Sequence, residues 1–270
     1  MARPHLSGLP PELLDHVFDF LHDSSNTLES CCLVSKSWIP CTRKYLIADI
    51  EFQPIDDLET WKAVFSDPST SPAYYAKTLS IGCSEVIVAV AGTEEGCLVS
   101  AFSRVVDLTI YTLEWGSEQI AISLIPFTPI LKSLRLHKAS DTFKPSQISN
   151  LICSFPLLEN LPVFLKVDST LARGRNHGFD EQPAAIQPLS SPAFTGSLEL
   201  FSCSEMDPFA SQLLSLPNGL HFRKLDLTWH YNGDLSCATA LVEGSCSTLE
   251  SLKIDGGYSV CWFGPFVGTK

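Results

Sequence analysis

A short apolar pattern, Leu-x-Leu or a close variant of it, recurs along most of the chain. In each copy two aliphatic residues flank a polar residue or, once, a proline, and this alternation predicts a short strand with one buried face. The copies lie at Leu79–Ile81, Leu108–Ile110, Leu134–Leu136, Leu161–Val163, Leu198–Leu200, Leu225–Leu227 and Leu252–Ile254, with a weaker copy at Ile50 and Phe52. The pattern therefore predicts a series of short strands.

The spacing of these copies is nearly constant. Counted from the first apolar residue of each, successive copies are 29, 29, 26, 27, 37, 27 and 27 residues apart. The long step contains a polar stretch with glycine and proline near residues 168–192, which we interpret as a surface insertion. Such a regular period indicates that one structural unit is repeated along the chain.

Segments between the strands carry the apolar spacing of helices. Four of them are predicted to begin near Glu94, near Pro145, at Asp207-Pro208 and near Asp234. A strand and a helix repeated at this period are typical of leucine-rich repeats, in which stacked units bury the leucines that one unit could not. We therefore expect an α/β solenoid with a parallel sheet on one face and helices on the other.

An ordinary doubly wound α/β domain is the alternative for this alternation of strands and helices. Its strands would be longer and apolar throughout, and its crossovers would vary more in length. It would usually carry a glycine-rich phosphate turn after a strand, whereas neither GCSE after Ile81 nor Gly256-Gly257 has that form. The regular period favours the solenoid.

The N-terminal segment has a different pattern, a proline pair followed by a very apolar helix. Pro10 and Pro11 suit the first turn of a helix, and Glu12 lies near the positive end of its dipole. The stripe that follows is too short for a bilayer span and lacks the features of a signal peptide. It is either a core helix of the first domain or a helix that also docks on a partner. Two shorter apolar helical segments follow, around Leu28 and from Trp38 onward.

Composition and charge exclude several classes of function. The 270 residues are 45% hydrophobic and 18% charged, which suits a folded chain, and the longest aliphatic run predicts no membrane span. The net charge of −12 and the lack of any basic cluster argue against general binding of nucleic acid.

The ten cysteines do not form a disulfide or metal-binding pattern. No Cys-x-x-Cys occurs, and no set of Cys and His residues has the spacing of zinc ligands. We interpret the cysteines as reduced, mostly buried thiols of a cytoplasmic or nuclear protein, and we expect no metal and no cofactor. His137 and His230 are conceivable bases, but no nucleophile elbow such as Gly-x-Ser-x-Gly accompanies them, so no catalytic residue is predicted.

The first part of the chain resembles an F-box, a three-helix module that docks on the Skp adaptor of cullin-RING ubiquitin ligases. The match runs from Leu6 to Ile47 and rests on Leu9, Pro10, Glu12, Leu13, Val17, Leu21, Leu33, Val34 and Trp38. The whole chain is more closely similar to F-box proteins with leucine-rich-repeat-like regions that are expanded in mushroom-forming fungi. The stretches CLVSKSWIPCTRKYLIADIEF, SFPLLENLPV, LLSLPNGLHFRKLDLTW and STLESLKI carry that similarity.

The resemblance implies two domains and a set of adaptor-binding residues. The F-box module would occupy residues 1–47 and the solenoid residues 48–270. Residues expected to contact the adaptor are Leu9, Pro10, Pro11, Glu12, Leu13, Leu14, Val17, Leu21, Leu33 and Val34. Which of these apolar side chains face the adaptor rather than the core of the module is left open, and Trp38 is expected in the core.

The resemblance also implies a substrate receptor of a Skp–cullin–F-box ubiquitin ligase without an active site of its own. Its partners would be a Skp-type adaptor, a cullin held through that adaptor, and an unknown protein target. Because the aliphatic residues of each strand point inward, the target would meet the residues between and just after them. These are Thr109, Tyr111, Arg135, His137, Glu199, Phe201, Asp226, Thr228 and Trp229.

Other functions stay open from sequence. The chain could be a repeat-based interaction scaffold that acts outside any ligase, or an enzyme such as an α/β hydrolase or a nucleotide-binding protein. The C-terminal stretch after Ile254 is rich in glycine and aromatic residues and has no helix pattern, so it does not resemble a polar capping repeat. We therefore expect a truncated or misread version of a longer solenoid.

Overall fold

The structure is a computed structural model that describes residues 10–53, 55–65, 71–82, 101–111, 124, 127, 129–139, 150–165, 192, 194–202, 206–216, 218–229 and 236–256. These residues belong to two compact units. The described residues through Leu131 form the first unit, and those from Lys132 onward form the second.

The first unit begins with a group of short helices. They are α1 (Pro11–Asp19), α2 (Ser25–Val34), a single 3₁₀ turn (Lys36–Trp38) and α3 (Ile39–Leu46). Pro10 holds an extended conformation before α1, and proline also lies in the first turn of α1 and of α3, where no intrahelical N–H is needed. The prediction of three helical segments here is confirmed.

A small core holds these helices together. Leu14 and Phe18 of α1 and Leu28 of α2 are buried, and the partly buried side chains around them come from α2, α3, the 3₁₀ turn and Leu21 just after α1. The indole of Trp38 meets the ring of Phe18 edge to face, with 5.7 Å between ring centroids. Such pairs contribute roughly 0.5–1.5 kcal/mol beyond their area burial. The prediction that Trp38 belongs to the core is confirmed.

Three parallel strands complete the first unit: β1 (Asp49–Phe52), β2 (Thr78–Ile81) and β3 (Asp107–Ile110). The helix α4 (Ile55–Val64) and a 3₁₀ turn (Pro72–Tyr75) lie between β1 and β2. The first aliphatic residues of the repeated pattern share one register, with Ile50 opposite Leu79 and Leu79 opposite Leu108. Because side chains alternate along a strand, both aliphatic residues of each copy fall on the same, buried face.

The described part of the second unit contains five parallel strands and, between the last three of them, two helices of nine and ten residues. Its elements are β4 (Ser133–Ala139), β5 (Leu161–Leu165), β6 (Ser197–Ser202), α5 (Met206–Leu214), β7 (Lys224–Trp229), α6 (Ser236–Ser245) and β8 (Ser251–Gly256). Each strand pairs with the next one along the chain. Leu161, Leu198, Leu225 and Leu252 stand side by side across β5 to β8, one for each repeat.

The predicted α/β class is confirmed, since a helical N-terminal region is followed by parallel strands with helices between them. The helix predicted to begin at Asp207 is present as α5, and the one predicted near Asp234 is present as α6. Of the helix predicted from Pro145, residues 150–153 are described and helical. The helix predicted from Glu94 lies almost wholly outside the described residues, as does the predicted insertion at 168–192.

One strand differs from the others in burial. Leu252 and Ile254 of β8 are 45% and 48% exposed, whereas both aliphatic residues of every other copy are buried. A residue on an inner strand of a parallel sheet is covered by a neighbouring strand on each side and by helices on one face. Among the described strands β8 has one neighbour, β7, and its aliphatic side chains are correspondingly more exposed.

A side-chain clamp joins β5 to β6. The Oδ1 atom of Asn160 accepts hydrogen bonds from the backbone N–H of Ser197 at 2.8 Å and from its hydroxyl at 3.0 Å. The adjacent Gly196 is required here because a Cβ atom at that position would overlap the Asn160 amide. The backbone amide of Leu134 donates to the carbonyl of Asn160, so this residue also ties β4 to β5.

Candidate functional site

One face of α1 is apolar and open to solvent. Leu13, Val17 and Phe20 follow one another at i, i+4 and i+7, and their side chains are 52%, 49% and 79% exposed. Residues at this spacing lie on one side of a helix. Leu14 and Phe18, which are buried in the core, lie on an adjoining side of the helix, roughly 100° away. The helix is therefore apolar on two sides, of which one supports the fold and the other is available to a partner.

The end of α2 adds two exposed aliphatic residues. Leu33 is 89% exposed and Val34 is 63% exposed, whereas Leu28 anchors the same helix in the core. We call Leu13, Val17, Phe20, Leu33 and Val34 the helical apolar face. Three of these residues share one side of α1, and exposed apolar surface of this kind marks sites of protein interaction more often than scattered single residues do.

Two more residues predicted to contact the adaptor are also accessible. Pro10 and Glu12 are exposed at the beginning of α1. The Glu12 carboxylate lies in the first turn of the helix, where the dipole favours a negative charge.

Two residues predicted to contact an adaptor are instead part of the module's own packing. Leu14 is 7% exposed and lies in the core. Phe18 follows it at i+4, so the two side chains share one side of α1 and both pack with Leu28, whereas Leu13 lies on another side. Leu21 is half-buried and packs against the same core. Leu14 therefore belongs to the core in the division that the sequence left open, and Leu21 keeps part of its surface accessible.

Two further predicted residues are not described. Leu9 lies outside the described residues, and so does the side chain of Pro11. The structure in turn adds Phe20, which sequence reasoning did not select. Its spacing of three residues from Val17 and seven from Leu13 is the signal that could have identified it.

A polar contact braces the helix that carries most of this face. The Tyr45 hydroxyl of α3 donates to Oδ1 of Asp19 at 3.0 Å, and Nζ of Lys44 lies 3.9 Å from a carboxylate oxygen of Asp15. Burial raises the pKa of the Tyr45 hydroxyl, with Asp19 adding to the rise, and burial together with the Asp15 carboxylate raises the pKa of the Cys41 thiol. Both groups therefore stay neutral at physiological pH.

A second candidate surface is the side of the strands that faces away from the buried leucines, which we call the outer face. In the second unit it carries Arg135, Glu199 and Asp226 at the middle position of the Leu-x-Leu copies. Arg135 is exposed, while Glu199 and Asp226 are partly buried. These predicted target-facing residues are placed where side chains alternate away from the core.

An aromatic ladder crosses the outer face from β4 to β6. The rings of His137 and Phe164 are parallel within 2° at a centroid distance of 4.3 Å, and those of Phe164 and Phe201 are parallel within 11° at 4.5 Å. The register sets the three residues at the same level of adjacent strands. Sequence reasoning selected His137 and Phe201 but missed Phe164. All three directly follow the second apolar residue of a copy, and this shared position is the signal that was overlooked.

Two of the predicted target-facing threonines have little accessible surface. Thr109 is 8% exposed and Thr228 is 9% exposed. A threonine side chain is short, so neighbouring atoms cover it even on the outer face, and neither residue can supply much contact area by itself. Tyr111 is half-buried in the first unit, where its amide donates to the carbonyl of Ile81. The side chain of Trp229 is not among those described.

An ion pair network lies on the outer face of β7 and β8. The Nζ atom of Lys253 is 3.2 Å from a carboxylate oxygen of Asp226 and 3.2 Å from one of Asp255. Hydrogen bonds to Asp226 and then to Asp255 raise the pKa of this lysine. The network is exposed to solvent, so its contribution to stability is small.

Metal-binding groups and membrane-spanning helices were sought among the described residues. No group of three or more His, Cys, Asp or Glu residues in that part of the chain could hold a metal ion. His137 is engaged in the aromatic ladder, and His230 lies outside the described residues. No helix within the described ranges is both long enough and apolar enough to cross a membrane.

Comparison with known proteins bears on the segment that contains the helical apolar face. Residues 6–41 match the family model of the F-box domain, and this range contains α1, α2 and the beginning of α3. The resemblance seen in the sequence is therefore confirmed for the N-terminal module. No curated protein and no solved structure matches the chain.

Proposed function

We propose that this chain is the substrate-receptor subunit of a Skp–cullin–F-box ubiquitin ligase. The observation that carries the proposal is the helical apolar face, which lies within the segment matching the F-box domain. An F-box domain indicates an adaptor-binding role of the kind found in these ligases. A cullin would be held through the adaptor, and the receptor itself would contribute no catalytic residue.

The physical argument for adaptor docking is the exposed apolar surface. Fully burying a leucine or valine side chain contributes roughly 1.5–3 kcal/mol, in proportion to the area removed from water. Leu33, at 89% exposure, keeps nearly all of that gain available for a partner, and Leu13 and Val17 keep about half. Pro10 and Glu12 at the start of α1 complete the proposed docking surface.

We further propose that the strands and helices of residues 48–270 form a leucine-rich-repeat-like solenoid that holds the target protein. The repeated register of the aliphatic residues in both units supports this, as do α5 and α6 at equivalent places between strands. The target would lie against the outer face. The ligase would then act by proximity, because a target held on the scaffold meets the ubiquitin-charged enzyme at high effective concentration.

The proposed compartment is the cytoplasm, the nucleus or both. Among the described cysteines, Cys31, Cys32, Cys41, Cys153 and Cys246 form no disulfide bond. Thiols persist in a reducing compartment and are oxidised in a secretory one.

Capture by a Skp-type adaptor tests the proposal. The chain is co-expressed with a tagged adaptor, and the amount retained on the tag is compared for the native chain, Val17→Asp and Val64→Asp. Val64 is the matched control, since it is a valine on α4 that is 65% exposed, against 49% for Val17, and lies outside the F-box segment. A buried, unpaired carboxylate costs several kcal/mol, so Val17→Asp is expected to abolish capture and Val64→Asp to leave it unchanged.

Two results would contradict the proposal. One is failure of the native chain to be captured, which would favour an interaction scaffold that works outside a ligase. The other is equal capture of all three chains. Circular dichroism of each variant shows whether a loss reflects unfolding, and Leu33→Asp gives an independent test from the other helix.

A further inference from the structure

The aromatic ladder ends at Phe201, and the next strand carries a threonine at the same level. The register places Thr228 of β7 beside Phe201, and Asp255 of β8 beside Thr228. One face of the Phe201 ring stacks on Phe164, so the other face is turned toward β7. Among the described residues, Thr228 is 9% exposed and lies between the larger side chains of Phe201 and Asp255; we call the space between those two side chains the slot, with Thr228 as its floor.

The slot has the dimensions of a flat side chain. Neighbouring strands lie about 4.8 Å apart, so the backbones that carry the two walls are roughly 10 Å apart. A planar group stacked on Phe201 needs about 3.5 Å, the ordinary separation of packed carbon atoms. It would extend the ladder, whose rings are already spaced at 4.3 and 4.5 Å.

The charges around the slot are complementary to a cation. Asp255 stands at the far wall with its side chain 58% exposed, and Asp226 precedes Thr228 by two residues on the same face of β7. The Nζ atom of Lys253 lies 3.2 Å from a carboxylate oxygen of Asp226 and 3.2 Å from one of Asp255, so one ammonium pairs with both carboxylates. One lysine between two aspartates leaves a net negative charge beside the slot, and it shows that the pair accepts a cation.

We propose that this slot binds an arginine side chain of the target protein. A guanidinium group is both planar and permanently charged, so it can stack on the Phe201 ring while it forms an ion pair with Asp255. A lysine ammonium would satisfy the charge but not the flat shape. The inference rests on the proposed function, because the ligand is a segment of the protein that the outer face would hold.

Peptide binding to the purified full chain tests the inference. The probe is a fluorescein-labelled peptide, Gly-Ser-Arg-Gly-Arg-Ser-Gly, with matched peptides that carry lysine or the neutral, planar citrulline in place of arginine. Fluorescence anisotropy at physiological salt is expected to show the arginine peptide binding at least about fivefold more tightly than either analogue.

Variants of the slot locate the binding. Thr228→Leu fills the floor without altering the net charge of −12, and it is expected to remove the preference for arginine. Lys253→Ala removes the competing ammonium and is expected to tighten binding of the arginine peptide. Lys224→Ala is the matched control, an exposed lysine at the start of β7 that lies outside the ion pair network, and it is expected to give a smaller change.

Several results would overturn the inference. Equal binding of the citrulline peptide would exclude a role for charge, and equal binding of the lysine peptide would exclude stacking. No binding up to about 1 mM peptide, or full binding by Thr228→Leu, would also overturn it. If Thr228→Leu fails to fold, Asp255→Asn provides the test at an exposed position, where binding should weaken.

Adaptor capture from the same preparations separates the two proposals. Loss of the arginine preference with normal capture would remove this inference alone. A retained arginine preference with no capture would remove the ligase assignment and leave the slot as a binding site of an interaction scaffold.

Discussion

Two adjacent leucines on α1 provide the sharpest test of how the N-terminal module divides its apolar surface. Leu14 is 7% exposed and lies in the core, whereas Leu13, roughly 100° round the helix, is 52% exposed. Replacing each by alanine removes the same atoms from the same helix, and alanine has a high helix propensity at both positions. The two variants should therefore differ only in what each side chain contacts.

The expected magnitudes are well separated. Leu14→Ala removes a core side chain and leaves a cavity, so it should lower the free energy of unfolding by about 2–5 kcal/mol. Leu13→Ala should change it by no more than about 1 kcal/mol, because half of the side chain is already in water. If an adaptor covers that exposed half, Leu13→Ala should weaken adaptor binding by about 0.8–1.5 kcal/mol, or roughly 4–12-fold.

Thermal unfolding followed by circular dichroism measures the first quantity, and calorimetric titration with a purified Skp-type adaptor measures the second. At a temperature where Leu14→Ala is still folded, this variant should bind the adaptor as tightly as the native chain. The assignment of the two sides of α1 is refuted if both variants lose equal stability, or if folded Leu14→Ala binds more weakly than Leu13→Ala.

Three other predictions follow from the contacts described above. Tyr45→Phe should lower the free energy of unfolding by about 0.5–1.5 kcal/mol at neutral pH. Because the pKa of Tyr45 is raised in the folded protein, the stability difference between the native chain and the variant is complete below the pKa of a free tyrosine and should vanish as the pH rises through the higher native pKa. Urea unfolding at neutral and alkaline pH measures this difference. Asn160→Ala should lower the free energy of unfolding by about 1–3 kcal/mol, because the Ser197 amide loses its hydrogen-bond acceptor. In urea unfolding, the midpoint should fall while the dependence of the free energy on urea concentration stays the same. Asn160→Asp keeps the acceptor and should destabilise the protein less. Cys153 is buried with a raised pKa and should react with iodoacetamide more slowly than exposed Cys246, as mass spectrometry of timed samples would show; equal rates would contradict its burial.

The strands of this fold could be predicted from the sequence because their signal is local. Leu225 and Leu227 are two residues apart, and two residues is the repeat distance of side chains on one face of a strand. The near-constant spacing of the copies then places Leu198, Leu225 and Leu252 in one register. Exposure of Leu252 could not be predicted in the same way, because it depends on what adjoins β8 rather than on the residues of the strand.

The sides of α1 could not be assigned from the sequence because both are apolar. Leu13 and Leu14 have identical side chains and adjacent positions, so periodicity alone does not decide which of them faces the core. The decision is tertiary and depends on Phe18 meeting the indole of Trp38. The helix α4 was not predicted, since Leu58 is the one buried residue among its described side chains and its apolar stripe is weak.

Hydrogen–deuterium exchange of the full chain, with and without a saturating Skp-type adaptor, most directly tests whether the N-terminal helices dock on that protein. Slower exchange is expected in the peptides that cover Pro11–Asp19 and Ser25–Val34, with the strands β4 to β8 unchanged. Protection confined to the strands, or no change anywhere in the chain, would contradict the assignment of the helical apolar face.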